Sequence, residues 1–305
     1  MQKGSHRNRP QWGGGRGSLT VTAHSEAEEI LRAIGQQPDE QIDVAEAALA
    51  LAVLDREADA APCDLAPYRN HLECLSEEVA AVAGRGQLSI EEQAEALRRV
   101  LVIRHGYRGD SETFHDLANA NLMKVIDRRK GLPVSLGILF MHAARAQGWA
   151  MVGLNFPSHF LVRLDHEGER SILDPFNEGI SRSVSDLRDL LKCKGGDGQK
   201  LSPEHYAAVS NRDVLLRLQN NIKERHFHAE RADLAAAVVE RMLLFAPRQI
   251  MLWRELGLLN YTSGKLTAAI RSLESFLQKA TEAGIGEEMR RETAVQIQQL
   301  RLRLN

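Results

Sequence analysis

The alternation of apolar and polar positions divides the chain into stretches of different rhythm. From Ser25 to Gly106 the spacing is helical. Ser25 with Glu28 has the form of a capping box, Ile30, Leu31 and Ile34 share one face, and Gly35 can close the helix. Further helices are predicted over residues 42–59, 65–84 and 89–106, the last opened by Ser89 with Glu92. Leu122, Val125 and Ile126 form the inner face of a shorter helix for which Asn119 or Asn121 can serve as N-cap. From Pro133 to Gly148 the helix is almost wholly apolar and must be buried. Pro133 suits its first turn, where the missing N–H costs nothing. The rhythm then changes to period two, predicting strands over 151–155, 158–164 and 170–174, the last two joined across Gly168. After a glycine-rich loop at Gly195, Gly196, Asp197 and Gly198 the helical period returns.

The C-terminal part also repeats. Trp253, Leu256, Gly257, Tyr261, Gly264, Ala269, Leu273 and Phe276 follow the tetratricopeptide helix–turn–helix pattern, with Tyr261 one place late. One repeat length earlier lie Ala235, equivalent to Ala269, and Pro247 at the position of a terminal proline. Two units over 216–279 and a closing helix over 287–303 predict a short superhelix presenting a concave face to another protein or peptide. Trp253 and Tyr261 are packing residues on this reading.

Composition narrows the class. The chain has 305 residues, 43% of them hydrophobic and 26% charged, and a formal net charge of −2. It can bury a sizeable core divided among two or three domains and carries no overall nucleic-acid footprint. Cys63, Cys74 and Cys193 form no CxxC pair and leave one over, which argues against a zinc site or a disulfide framework and for a reduced, cytoplasmic compartment. The run Ala47–Leu54 is too short to cross a bilayer, and no apolar segment opens the chain, so no membrane partner is expected. Lys3, Arg7, Arg9 and Arg16 mark residues 1–20 as a flexible basic tail. The expected organisation is that tail, a helical subdomain over 21–110, an α+β core with a small antiparallel sheet over 111–200, and all-α repeats over 201–305.

Ser135 in the first turn of the buried helix, His159 and Asp174 could together make a nucleophile, a base and an orienting carboxylate. Each residue also has a plainer reading. Ser135 can hydrogen-bond a free backbone N–H at a helix start, His159 can be a core histidine among Phe160, Leu161 and Val162, and Asp174 before Pro175, with Asn177 and Gly179 after it, can open a turn. Asn119 and Asn121 could donate to a substrate oxygen, although capping is the simpler role. Arg128, Arg129 and Lys130 near a helix end complement its dipole and are expected to be solvated. No cofactor is implied, and no acidic loop has the spacing of a calcium site.

The phrase Arg129-Lys130-Gly131-Leu132-Pro133-Val134-Ser135-Leu136, followed by Phe156-Pro157-Ser158-His159-Phe160-Leu161-Val162 and Leu173-Asp174-Pro175-Phe176, resembles the transglutaminase-like core of SirB-type bacterial proteins. The resemblance extends over about residues 25–290. It implies a papain-like fold in which His159 takes the place of the base, Asp174 that of the orienting carboxylate and Ser135 that of the nucleophile. Active relatives of this fold carry cysteine there. A thiol at a helix N-terminus beside an imidazolium can be stored as thiolate, whereas a serine must lose its proton as it attacks and so demands tight alignment. The expectation is therefore a regulatory or interaction protein with a degenerate site. The alternative is a hydrolase or acyl-transfer enzyme acting on protein amide or ester bonds through Ser135, His159 and Asp174.

Overall fold

The structure is a computed structural model that describes residues 16–56, 64–157, 159–195 and 200–304. Most of the basic tail, Cys63, the side chain of Cys193, Ser158 and the loop residues 196–198 lie outside the described residues. The first helix, α1 (Arg16–Gln36), begins well before Ser25. Ser25 and Glu28 therefore sit within a helix rather than at its cap, because the apolar face formed by Ala27, Leu31 and Ile34 extends back to Ala23. Gly35 does not end the helix but lets it approach a later one closely: a Cβ there would lie 2.4 Å from the Leu244 carbonyl oxygen.

Helix α2 (Val44–Leu54) is capped by Asp43, whose carboxylate accepts from the N–H groups of Ala45 and Glu46. Next come α3 (Ala66–Ala83) and α4 (Ile90–Arg98), the latter opened by the full Ser89–Glu92 capping box and continued by a π-helical turn, Arg99–Arg104. Strand β1 (Arg108–Gly109) pairs in parallel with β2 (Lys130–Gly131), and α5 (Leu122–Arg128) lies between them in sequence. Asn121 caps α5, accepting from Lys124 N at 3.1 Å. The central helix α6 (Pro133–Arg145) is buried over nearly its whole length, as its composition requires.

A four-stranded antiparallel sheet follows in the order β3 (Ala150–Gly153), β4 (Val162–His166), β5 (Glu169–Asp174) and β6 (Ile180–Ser181). Glu167 and Gly168 join β4 to β5 with positive φ at both positions, the geometry of a two-residue hairpin turn. Strand β4 begins at Val162, so His159 precedes the strand instead of lying on it. The His159 carbonyl is taken by an arginine from a distant helix and cannot enter the ladder. Helix α7 (Val184–Gly195) packs Leu187 and Leu191 with Leu154, Phe156 and Leu161.

The tail contains α8 (Asn211–His228), α9 (Ala232–Phe245), α10 (Ile250–Thr262), α11 (Leu266–Glu282) and α12 (Glu287–Leu304). Helices α8 with α9 and α10 with α11 form the two repeat pairs, and Ala235 and Ala269 are fully buried at their contacts. The main buried cluster runs from Leu31 of α1 through Leu49, Leu75 and Leu139 to Val214, Val239 and Leu256. It crosses the sequence boundaries near 110 and 200, and α1 itself packs on both α2 and α9. Beside the α7 cluster, α11 and α12 share another small separate one, around Leu273 and Ile297.

Candidate functional site

The start of α6 is tied to the turn that precedes α5. The Asn119 carbonyl accepts from Leu132 N at 3.0 Å and from the Ser135 hydroxyl at 2.8 Å, and the same hydroxyl also lies 3.0 Å from the Leu132 carbonyl. Ser135 is fully buried. Its side chain is thus turned back onto the backbone as a donor to carbonyls, whereas the plainer reading has it bonding a free backbone N–H.

His159 and Asp174 do meet. Nε2 of His159 lies 2.9 Å from Oδ1 of Asp174, and both residues are buried. Asn177 and Arg182 complete the carboxylate's surroundings: Oδ2 accepts from Asn177 Nδ2 at 2.8 Å and from Arg182 Nη2 at 2.8 Å and Nε at 3.1 Å. Burial opposes ionisation of Asp174, but the His159, Asn177 and Arg182 donors outweigh it and hold the carboxyl down at about 2. Asp174 also opens the expected turn, since its carbonyl accepts from Asn177 N at 3.1 Å and Gly179 N at 2.8 Å.

The segment carrying His159 is braced from two sides. The ring of Phe160 sits between α6 and β3, where only glycines leave room: a Cβ on Gly137 would come within 2.5 Å of it, and one on Gly153 within 2.6 Å. From α8, Arg217 Nη2 donates to the carbonyls of Phe156 at 2.9 Å and His159 at 2.7 Å, and its guanidinium lies over the Phe160 ring.

A cleft of about 380 Å3 opens beside His159. Its walls include Phe114, Phe160, the α8 residues Arg217, Asn220, Asn221 and Glu224, and, from the start of α6, Leu132, Pro133 and Val134. Ser135 is not part of the wall. The structure therefore pairs His159 with Asp174 while the Ser135 hydroxyl bonds backbone carbonyls instead of either, and Leu132, Pro133 and Val134 stand where the helix start meets the cleft. His159 lines the cleft, and its Nδ1 bonds no described residue.

Asn119 and Asn121 are spent on structure. Asn119 Nδ2 donates to the Thr113 carbonyl at 2.7 Å, and Asn121 Nδ2 to that of Ala52 at 2.9 Å. The expectation that Arg128 and Arg129 are solvated is corrected. Arg128 pairs with the buried Asp110 at 3.0 Å, and Arg129, in the left-handed region at φ 58°, lies over the Tyr107 ring and donates to its hydroxyl. Once the chain turns left-handed after α5, Arg129 is directed inward, where Tyr107 and His71 receive it. Arg182 and Arg217 were not singled out by sequence. Neither lies in a motif, and only the fold brings them to Asp174 and His159.

Residues 66–220, just over half of the chain, match the transglutaminase-like superfamily, and residues 222–305 match the tetratricopeptide repeat. The chain belongs to that superfamily, as an α+β transglutaminase-like core followed by repeat helices. Within the superfamily it is a member of the SirB type. It is 28% identical over 202 residues to Protein SirB1 of Salmonella typhimurium, a match covering 65% of this chain and 75% of that one. A UPF0162 protein of Xylella fastidiosa is 32% identical over 187 residues, covering 60% of this chain and 66% of its own. Another, from Vibrio cholerae, is 36% identical over 154 residues, covering 50% and 57%. The matched region thus spans just under two thirds of the Xylella relative and a little over half of the Vibrio one.

Proposed function

We propose that this protein is a regulatory, protein-binding member of its family whose transglutaminase-like site no longer performs acyl transfer. The carrying observation is the position of Ser135. Nucleophilic attack needs an oxygen or sulfur within hydrogen-bond reach of the imidazole, at the mouth of the cleft. Here the hydroxyl donates to the Asn119 and Leu132 carbonyls from a fully buried site, and the wall beside His159 is built of Leu132, Pro133 and Val134. The paired His159 and Asp174 are then a structural unit that shapes the cleft.

The second element of the proposal is that the tail engages another polypeptide. Its support is the pair of repeat units and the partly exposed apolar side chains Met251, Leu258 and Tyr261 along α10. Among the described residues no helix is long and apolar enough to cross a membrane. Treatment with a serine-directed fluorophosphonate tests the first element: Ser135 should remain unlabelled under conditions that label an ordinary serine hydrolase. Labelling that disappears in Ser135→Ala would favour the hydrolase reading through Ser135, His159 and Asp174, for which the retained His–Asp pair is the supporting observation.

A further inference from the structure

Among the described residues, two charges that line the cleft form no salt bridge. Among the described residues no carboxylate lies within ion-pair distance of Arg217, although its guanidinium is largely buried and spends only Nη2 on carbonyl groups. Burial without a counter-charge disfavours the Arg217 cation, a cost that a bound anion would relieve. The second charge is Glu224, seven residues further along α8, which likewise makes no ion pair with a described residue. Two turns of helix separate them, about 10 Å at 1.5 Å per residue. Between them lies Asn220, whose Nδ2 bonds no described residue.

We propose that this cleft binds the C-terminal end of an extended peptide, with the terminal carboxylate on Arg217 and a basic side chain three residues upstream on Glu224. The spacing sets the register. An extended chain advances about 3.3 Å per residue, so the span from Arg217 to Glu224 is covered in about three residues. A guanidinium with free N–H groups suits a carboxylate because the bonds are charge-assisted. With Nη2 holding the His159 loop, Arg217 keeps the N–H groups of Nη1 and Nε, each able to give a carboxylate a single charge-assisted bond. Asn220 can donate to a peptide carbonyl midway, and the first residues of α6, at the positive end of its dipole, line the same cleft. The apolar wall of Phe114, Phe160 and Val134 takes the side chains between.

The proposal names the chemistry of a partner for the cleft and rests on the reading that the site no longer performs acyl transfer. The test is fluorescence anisotropy of the full chain with labelled Ala-Ala-Lys-Ala-Ala-Ala, as the free acid and as the C-terminal amide. The free acid should bind about ten-fold tighter or more. Replacing its lysine by alanine should weaken binding several-fold. Glu224→Lys, an exposed change that disturbs no described bond, should reverse the preference at that position in favour of glutamate. Arg217→Gln should erase the distinction between acid and amide. Equal binding of acid and amide, indifference to the lysine, or no binding of either peptide would overturn the proposal. So would an amidated peptide ending in aspartate that binds as well as the free acid, since that would assign the site to side-chain carboxylates. Fluorophosphonate labelling of Ser135 would sink the non-catalytic reading instead, which keeps the two failures apart.

Discussion

The two sides of the cleft solve opposite problems. On the strand side, Asp174 is fully buried yet surrounded by His159, Asn177 and Arg182, so both of its carboxylate oxygens have partners. On the helix side, Leu132, Pro133 and Val134 line the opening, and the Ser135 hydroxyl is turned onto two carbonyls. The lesson is that a well-formed His–Asp pair is not by itself a mark of catalysis. The pair is held by its own hydrogen bonds, whether or not a nucleophile stands opposite.

The comparison breaks first, and most heavily, at Asp174. Asp174→Ala leaves the Arg182 guanidinium and the Asn177 and His159 donors without their buried acceptor, and should cost about 3–5 kcal/mol by denaturant unfolding. A loss below about 1 kcal/mol would mean that the strand side is not held by this carboxylate.

Acid should find the same group. Because the folded state holds the Asp174 carboxyl at about 2, folding favours its ionised form. Its contribution is complete above the ordinary carboxylate value near 4, and about 2 kcal/mol is lost as pH falls from about 4 to 2. Stability measured against pH should show this fall in the native chain and a flatter curve over that window in Asp174→Asn.

Thiols sharpen the contrast between the sides. With Cys63, Cys74 and Cys193 replaced by alanine, Val134→Cys puts sulfur in the cleft wall near His159, whereas Ser135→Cys puts it in the buried helix start. Both positions are buried, but only 134 lines the cleft, so alkylation by iodoacetamide near neutral pH should be about ten-fold faster for Val134→Cys. His159→Ala should remove much of that advantage. Equal rates would show that the two positions share one environment. The smallest effect belongs to Ser135→Ala, which removes a hydroxyl donor while Leu132 N still satisfies the Asn119 carbonyl. A loss of about 1 kcal/mol in stability is expected, with the free-acid preference in peptide binding unchanged.

Much of this was legible in the sequence. The Ser89–Glu92 box, the Asn121 cap, the buried helix opened by Pro133 and the two repeat pairs follow from local spacing, which is where short-range rules apply. The His159–Asp174 pair was legible from the order of the motifs. The direction of Ser135 was not, because helical phase places a residue on a turn without saying that the Asn119 carbonyl waits 2.8 Å away. Arg217 was equally hidden: it reaches the His159 carbonyl from 58 positions along the chain. The start of α1 was missed because Gly17 and Ser18 are poor helix formers, and its packing on α2 and α9 outweighs their local preference.

That last contact bears on how the molecule is made. Gly35 of α1 rests against the Leu244 carbonyl of α9, and Arg212 donates to the carbonyls of Ile34 at 2.7 Å and Phe245 at 3.0 Å, tying the two helices at one point. During synthesis α1 leaves the ribosome long before α9 does, a wait of roughly 10–40 s at ordinary elongation rates. Through that interval the side of α1 that will meet α9 has only water or a chaperone to cover it, and no early folding of the transglutaminase-like segment can supply the missing surface. Of the described helices, the earliest translated is therefore among the last to reach its final seat.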